Sequence, residues 1–534
     1  MRTIIYRMYI FAIVFCLGIS ILSGQIVSNG TGGGPWSASA TWAGGVVPTG
    51  SDTIVIASTD SIIYDVAVTI TGTLVKQSAK KDSIGGSGSI TFANGSTYIH
   101  AVNGGMAPKA TWSTGSTCTL TGLAGSMPSN MTQNFYNLNV DCPSYSGNLN
   151  FGWHNASITI GGALTVFNTG YTHSSITTPN AQLRLFGGNG KCTITNINIS
   201  GYAATLTACG SSYTDTILIP GNITISSGGA LFLANNSSAN CAWIVQGNLA
   251  ILDSGFVTKS SSANTSKILF AGTETQTLTR PAGTWSTDPF LSGVNFEVAG
   301  GSTLSFPDVK DTLSGTGSFK VNANATVICN HPLGLNGIVR NTGANGGGNT
   351  FVTGSSYVFS GSSAQVTGLL MPDTVQNLTI SNAAGVELTK ATVVTGVLTL
   401  HAGQLDNSVN AVTIASGGSV VYSGGTAKSA IPGWPQTSVE EQHTTVPKSF
   451  FVSQNYPNPF NPSTKISFGL PKDGFVTAKV YNLMGQEVAS LFSGYKSAGV
   501  YELTFDASNL SSGIYLYRLQ AGTSVDVKRM LLVK

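Results

Sequence analysis

Charge is scarce in this chain. Among 534 residues there are 25 Lys and Arg and 22 Asp and Glu, 9% in all, against roughly 25% in ordinary globular chains. That shortage excludes several functions. No basic patch is large enough to track a phosphate backbone, so no nucleic-acid partner is expected. Acids are thinly spread as well: residues 25–446 hold 17, beside 14 basic groups. A glycosidase needs two carboxyls roughly 5–9.5 Å apart. The nearest acidic pair in the strand-forming part of that region, Asp308 and Asp311, is spaced so that on a strand the two side chains point to opposite faces. Glu440 and Glu441 fall in a Pro-flanked stretch, where a charge pair is most simply solvated.

Helical periodicity is missing too, since no apolar stripe at i, i+3, i+4, i+7 is sustained beyond the amino terminus. Arg2 and Arg7, the apolar run Met8–Leu22 and the small pair Ser23-Gly24 read as a signal peptide, residues 1–24, cleaved before Gln25. Nothing later approaches the run of about 20 apolar residues that a membrane span requires. Metal-ligand patterns are absent: His100, His154, His173, His331, His401 and His443 form neither HxH nor HExxH. Cys329-Asn330-His331 supplies only two ligands, and no EF-hand loop occurs. Asn345-Gly346-Gly347-Gly348-Asn349 lacks the Lys-Ser/Thr and the helix of a phosphate cradle. No cofactor or metal is expected.

What is present is Gly, 65 residues of it, with 41% hydrophobic residues. Short Val/Ile/Leu strands recur between Gly-rich turns, which predicts an all-β chain. One recurring unit is Gly, one or two small residues, then an apolar strand, as in Gly161-Gly162-Ala163-Leu164, Gly221-Asn222-Ile223, Gly247-Asn248-Leu249 and Gly396-Val397-Leu398. A second is Asn-apolar-x-apolar, beginning at Asn137, Asn196, Asn295 and Asn377. The irregular spacing of these units suits a parallel β-helix-like solenoid, whose coils tolerate loops of different length. A row of β-sandwich modules is the competing architecture. Residues 25–430 are expected to form this solenoid passenger, with Trp36 and Trp42 in a Trp/Gly-rich cap over its open end. Sugar stacking is the other use for those rings.

Two passages carry resemblances. Gly34-Pro35-Trp36, Thr41-Trp42-Ala43-Gly44-Gly45, Pro48 and Asp52-Thr53-Ile54-Val55-Ile56 resemble the opening block of many secreted bacterial β-helix proteins. Residues 357–400, from Tyr357-Val358-Phe359 to Leu398-Thr399-Leu400, resemble the repeats of adhesin-type bacterial surface proteins. These imply a noncatalytic adhesin-like or surface-matrix role, in contact with a glycan or another surface ligand. The alternative is a secreted polysaccharide lyase or hydrolase on a β-helix scaffold.

Six cysteines follow the signal peptide. Cys118 with Cys142, and Cys192 with Cys209, are spaced for bridges between neighbouring coils; buried thiols are the equal alternative. Asp followed by Ser or Thr and an aliphatic residue occurs at Thr53, Ser61, Ser83, Thr216, Thr312 and Thr374, six of fifteen Asp residues. The pattern is similar to the O-glycosylation acceptor of Bacteroidetes; it is also good turn chemistry before a strand.

The terminal segment differs from everything before it. Residues 447–534 carry 9 basic and 5 acidic groups. Alternation at Val476, Ala478 and Val480, at Tyr501, Leu503 and Phe505, and at Tyr515, Tyr517 and Leu519 predicts antiparallel strands. Asn458-Pro459 and Asn461-Pro462 open the segment in an extended path. The blocks SFFVSQNYPNPFNPSTKISFGLP, VTAKVYNLMGQEVASL, FDASNLSSGIYLYRLQAG and VDVKRMLLVK together resemble the C-terminal sorting domain of the type IX (Por) secretion system. The resemblance implies a small Ig-like β-sandwich, residues 449–534 after a linker at 431–448. It would guide folded cargo to the secretion machinery after Sec export through the periplasm and then be removed, often with anchoring to lipopolysaccharide. The expected location is extracellular or on the cell surface. Gly485, Gly513, Tyr515, Lys528, Leu531, Val533 and Lys534 would carry the sorting signal.

Overall fold

The computed structural model describes residues 25–153, 157–170, 182–186, 189–209, 214–234, 238–259, 265–280, 293–315, 317–341, 348–432, 440–442, 447, 449–496 and 498–534. The expected signal peptide, most of the expected linker, and His154, His173 and His443 lie outside these residues. The chain divides into two compact units, Met1–Ile268 with Pro289–Val294, and Leu269–Asp288 with Asn295–Lys534.

In the first unit the main sheet is parallel and the chain climbs it coil by coil. Thr53–Ile56 pairs with Thr73–Lys76, which pairs with Thr97–His100, then Thr117–Leu120 and Asn137–Asp141. The register carries one inward column through Ile54, Leu74, Tyr98, Cys118, Leu138, Leu164, Ile197, Ile223 and Leu249. All nine are buried. Steps along this column are uneven in sequence, short from Cys118 to Leu138 and long from Leu164 to Ile197, because loops of different length leave the coils while the strands stay in register. Each coil also gives strands to smaller parallel sheets. One is formed by Gly33–Pro35, Ser61–Tyr64 and Ser83–Ile84; another runs from Asn148–Asn150 to Phe256–Thr258 in five strands. This is the predicted β-helix-like solenoid.

The second unit repeats the construction. Leu304, Val327, Tyr357, Leu378, Leu398 and Val420 form its inward column, flanked by the parallel sheets that contain Gln365–Val366 and Thr374–Val375. The same unit contains two antiparallel four-stranded sheets from residue 440 onward, described below.

The two recurrent sequence units prove to be halves of one contact. Asn196 Oδ1 accepts the Asn222 N–H at 3.0 Å, and Asn222 Oδ1 accepts the Asn248 N–H at 2.8 Å. Asn137 does the same for Ala163, and Asn377 for Val397. The Gly before each recipient lies directly against the Asn of the coil below. A Cβ would stand 2.2 Å from Asn137 Oδ1 at Gly162, 2.4 Å from Asn196 Oδ1 at Gly221, and 2.5 Å from Asn377 Oδ1 at Gly396. Gly is therefore required by close approach, and Asn satisfies the backbone donor that the bend would otherwise orphan.

Trp36 and Trp42 are 3% and 2% exposed. Trp42 Nε1 donates to the Trp36 carbonyl at 2.9 Å, the two rings meet edge to face, and Trp36 stacks on Tyr64. Rings buried in this way close hydrophobic surface and have no face left for a sugar.

Gly396→Ala is expected to destabilise the protein by about 1–3 kcal/mol, because the added methyl must displace Asn377 or backbone. Gly474→Ala, where an added Cβ has no neighbour within 4 Å, is expected to be near neutral. Denaturant unfolding of the two variants makes the comparison; equal losses would contradict the close-approach reading.

Candidate functional site: the terminal sandwich and the buried polar residues of the solenoid

The carboxy-terminal segment folds into two four-stranded antiparallel sheets. One orders Glu440–Gln442, Gly499–Asp506, Ser463–Leu470 and Phe451–Val452; the other orders Glu487–Lys496, Gly474–Tyr481, Gly513–Ala521 and Ser524–Leu532. Ile466, Phe468, Leu503 and Phe505 from the first meet Val476, Val480, Tyr517, Leu519, Met530 and Leu532 from the second in one buried cluster. Glu440–Gln442, placed in the linker by its Pro-rich flanks, pairs as an edge strand with Val500–Glu502.

The last strand is held on both edges. On one side Gly513 to Ala521 pairs with it along its whole length. On the other the Asn-Pro segment, bent at residues 457–459 and 461–462 where an extended path was expected, lies against it: Phe460 N donates to the Leu531 carbonyl, Val533 N to the Phe460 carbonyl, and Leu531 N to Asn458 Oδ1. Asn455, 2% exposed, fixes that segment through Nδ2 bonds to the Pro457 carbonyl and Thr464 Oγ1, both 3.0 Å. Tyr517 Oη donates to the Ser453 carbonyl and accepts the Asn455 N–H, each at 2.8 Å, and burial pushes its hydroxyl up to about 12. Asn458 and Phe460 therefore serve as a clasp on the chain terminus.

The register gathers the predicted sorting residues. Tyr481 is opposite Leu516 and Leu532 opposite Gly513, so the Asn482–Gln486 turn, Gly513 and Val533-Lys534 share one end of the second sheet. Gly485 has φ +78° in that turn, whose N–H groups at Met484 and Gln486 bond to Asn482 Oδ1. Tyr515 is buried, its hydroxyl donating to the Ser511 carbonyl. Lys534 N donates to Ser512 Oγ. Leu531 and Val533 are exposed, 37% and 47%. Lys528 lies farther along the strand, opposite Tyr517.

Residues 454–534 match the family model of the secretion system C-terminal sorting domain. The chain thus carries a type IX sorting domain, which makes it a protein secreted or placed at the cell surface through that machinery. No curated protein and no solved structure matches the chain.

Polar residues inside the first unit form a separate cluster. Lys76 and His100 occupy an inward column that elsewhere holds Ile56, Leu120, Val140 and Val166. Lys76 Nζ pairs with Asp82 Oδ2 at 2.6 Å, both side chains essentially inaccessible, and Asp82 Oδ1 accepts the Ile62 N–H. Burial lowers the Lys76 ammonium and raises the Asp82 carboxyl, each opposed by the partner's charge. Next to them His100 Nε2 lies 2.7 Å from the Gly104 carbonyl, and Nδ1 lies 2.9 Å from Tyr98 Oη. A carbonyl only accepts, so Nε2 carries a proton, and burial keeps the ring in its neutral form at pH 7. Burial holds its pKa down at about 4. The desolvation cost of a buried pair such as Lys76–Asp82 offsets much of its attraction, and its inward placement leaves it out of contact with polymeric substrate.

The remaining candidates are also structural. Asp308 and Asp311 are not on a strand: Asp311 is buried and accepts the Arg280 and Asp308 N–H groups, whereas Asp308 pairs with Lys310 at the surface. In the Asp-Ser/Thr pattern, Asp60, Asp82, Asp215 and Asp311 are buried, and each accepts at least one backbone N–H from a sequence-distant segment. The recurrence is thus coil-corner chemistry at four of six positions. The hydroxyls of Thr53 and Ser83 belong to exposed residues, Ser61, Thr216 and Thr374 are half-buried, and Thr312 is buried.

Of the two readings offered for the cysteines, the described side chains take the thiol one. Cys118, Cys142 and Cys192 are free and buried; the Cys209 side chain lies outside the described residues. Cys118 has Tyr98 and Leu138 as ladder neighbours, and Cys142 Sγ donates instead to the Leu120 carbonyl. Cys192 and Cys209 sit in different sheets. Burial raises all three thiols, Cys142 to about 12. His331 and Cys329 gain no third ligand; among the described residues no group of three or more His, Cys, Asp or Glu is placed to hold a metal.

His100 has a folded-state pKa below its ordinary 6.5, so the unfolded chain takes up the proton first and stability falls as pH drops. At pH 4.5 the loss should reach about 2–3 kcal/mol relative to pH 7. His100→Leu, matching Leu120 in the next coil, should remove that component. Parallel pH profiles for the variant and the parent, measured by urea unfolding, would contradict it.

Proposed function

We propose that residues 25–430 are a noncatalytic passenger of adhesin or surface-matrix type, displayed outside the cell by the terminal sorting domain. The carrying observation is the outward face of the first unit's main sheet. Thr53, Thr73, Thr97, Thr117 and Asn137 follow one another in register. Thr119, Asn139, Thr165, Asn198 and Thr224 form a second column. Neighbouring strands stand about 4.8 Å apart, so these columns present a regular, uncharged array of hydroxyls and amides. Such a face can make many weak hydrogen bonds to a glycan or another polar surface, and it has no charge to be screened by salt. The exposed hydroxyls of Thr53 and Ser83 are the ones an O-glycan would reach. Lipopolysaccharide anchoring after removal of the sorting domain remains part of this reading by resemblance.

The sorting signal, on the same reading, is the exposed end formed by Gly485, Leu531, Val533 and Lys534, with Gly513, Tyr515 and Lys528 supporting it. Deleting Lys528–Lys534 should leave the protein in the periplasm. That deletion also removes Met530 and Leu532 from the core, so Leu531→Ser/Val533→Ser/Lys534→Ala is the paired variant, keeping the backbone clasp. Fractionation should find both inside, and a strain lacking the gene should lose surface attachment while retaining glycan breakdown. Normal export of the substituted chain would sink the signal assignment; lost glycan breakdown with normal attachment would favour the lyase or hydrolase.

A further inference from the structure

We propose that a pocket in the first unit binds a single carboxylate-bearing sugar unit, of uronic-acid type. It arises where a column of the solenoid is interrupted. The sheet of Gly33–Pro35, Ser61–Tyr64 and Ser83–Ile84 stops at its third strand. In the next coil Met106 bridges forward to Ser129, with Ser129 N donating to the Gly105 carbonyl and Ala107 N to the Ser129 carbonyl. In a parallel bridge of this kind the N–H and C=O of Met106 point the other way, toward Ser83–Ile84. Neither has a hydrogen-bond partner among the described residues. Between the two coils lies a cavity of about 210 Å³ lined by Tyr64, Asp82, Ile84, Ile90, Met106 and Lys109, with three further residues.

Four properties define the occupant. Volume limits its size: pockets that enclose drug-sized ligands run to roughly 300–1,000 Å³, so this one suits one ring. Tyr64 is 1% exposed and its hydroxyl has no hydrogen-bond partner, an unfavourable state for a buried polar group that a ligand hydroxyl would relieve. Asp82 does not compete for the ligand, since both its oxygens are engaged by Lys76 and Ile62. Lys109 is exposed and forms no ion pair among the described residues, leaving one unmatched positive charge at the pocket. Between these polar points Ile84, Ile90 and Met106 offer an apolar flank for C–H groups. A ligand polar at its buried end, anionic at its outer end and apolar along one side describes a sugar acid; a fatty acid would leave Tyr64 unsatisfied.

The site is separate from the outward Thr/Asn columns, so it can fail without the adhesive reading failing. The test titrates the full exported chain with methyl β-D-glucuronide and with methyl β-D-glucoside, following binding by ligand-observed NMR. The glucuronide should bind about two- to fivefold more tightly, the range an exposed ion pair supplies. Lys109→Gln should erase that preference, and Tyr64→Phe should weaken both sugars several-fold while its unfolding midpoint stays at or above the parent's. Absence of glucuronide binding at ~10 mM, equal affinity for the two sugars, or binding indifferent to both substitutions would overturn the proposal. Tighter binding of butyrate than of glucuronide would overturn it as well. A bacterial strain carrying Lys109→Gln should attach normally; its failure to attach would count against the separation of the two sites.

Discussion

At Asn137, Asn196, Asn222 and Asn377 a coil of the solenoid is tied to the next by an Asn side chain that accepts a backbone N–H, beside a Gly that lets the two chains approach. The contact runs through three successive coils from Asn196 to Asn222 to Asn248, and Gly221 and Gly247 lie in its path. Everything else depends on the register it keeps. One residue of slip would turn Ile197, Ile223 and Leu249 out to solvent and bring Asn198 and Thr224 into the core. The outward polar columns exist because the inward apolar ones are held, and the pocket exists because one lateral column is locally released.

That dependence explains the composition. A coil that buries its inner face against neighbours above and below needs apolar side chains at alternate positions and little else. Outer positions need only avoid aggregation and stay solvated, which Thr, Ser and Asn achieve without charge. Ionisable groups that enter the interior are satisfied there: Lys76 has Asp82, Asp60, Asp215 and Asp311 accept backbone N–H groups, and His100 stays neutral between Tyr98 and Gly104.

Much of this was legible in the sequence, for identifiable reasons. Alternation and Gly-rich turns are local signals, so the strands and the solenoid class followed from them, and the terminal sandwich followed from its alternating aromatics. The Gly and Asn units were each visible, but their meeting was not, since it joins residues a full coil apart. Spacing left bridges and thiols equally open at the cysteines, because loops of unequal length leave between coils: Cys142 lies off the strand ladder that holds Cys118, and Cys192 and Cys209 fall in different sheets. Asp311 read as half of an acidic pair, whereas its partners are backbone donors. The pocket had no sequence signal at all, because a missing strand pairing leaves no mark on composition.

The central claim is the register of the stacked coils, and paired cysteines measure it directly. Thr97 and Thr117 are ladder partners, about 4.8 Å apart on neighbouring strands, within the Cα range of roughly 4.4–6.8 Å that a disulfide spans. Thr97 and Thr119 are offset by two residues, which places them about 8 Å apart. Mild oxidation should close a disulfide in Thr97→Cys/Thr117→Cys and leave Thr97→Cys/Thr119→Cys reduced. Cross-linking of the offset pair in preference to the registered one would contradict the structure of the passenger.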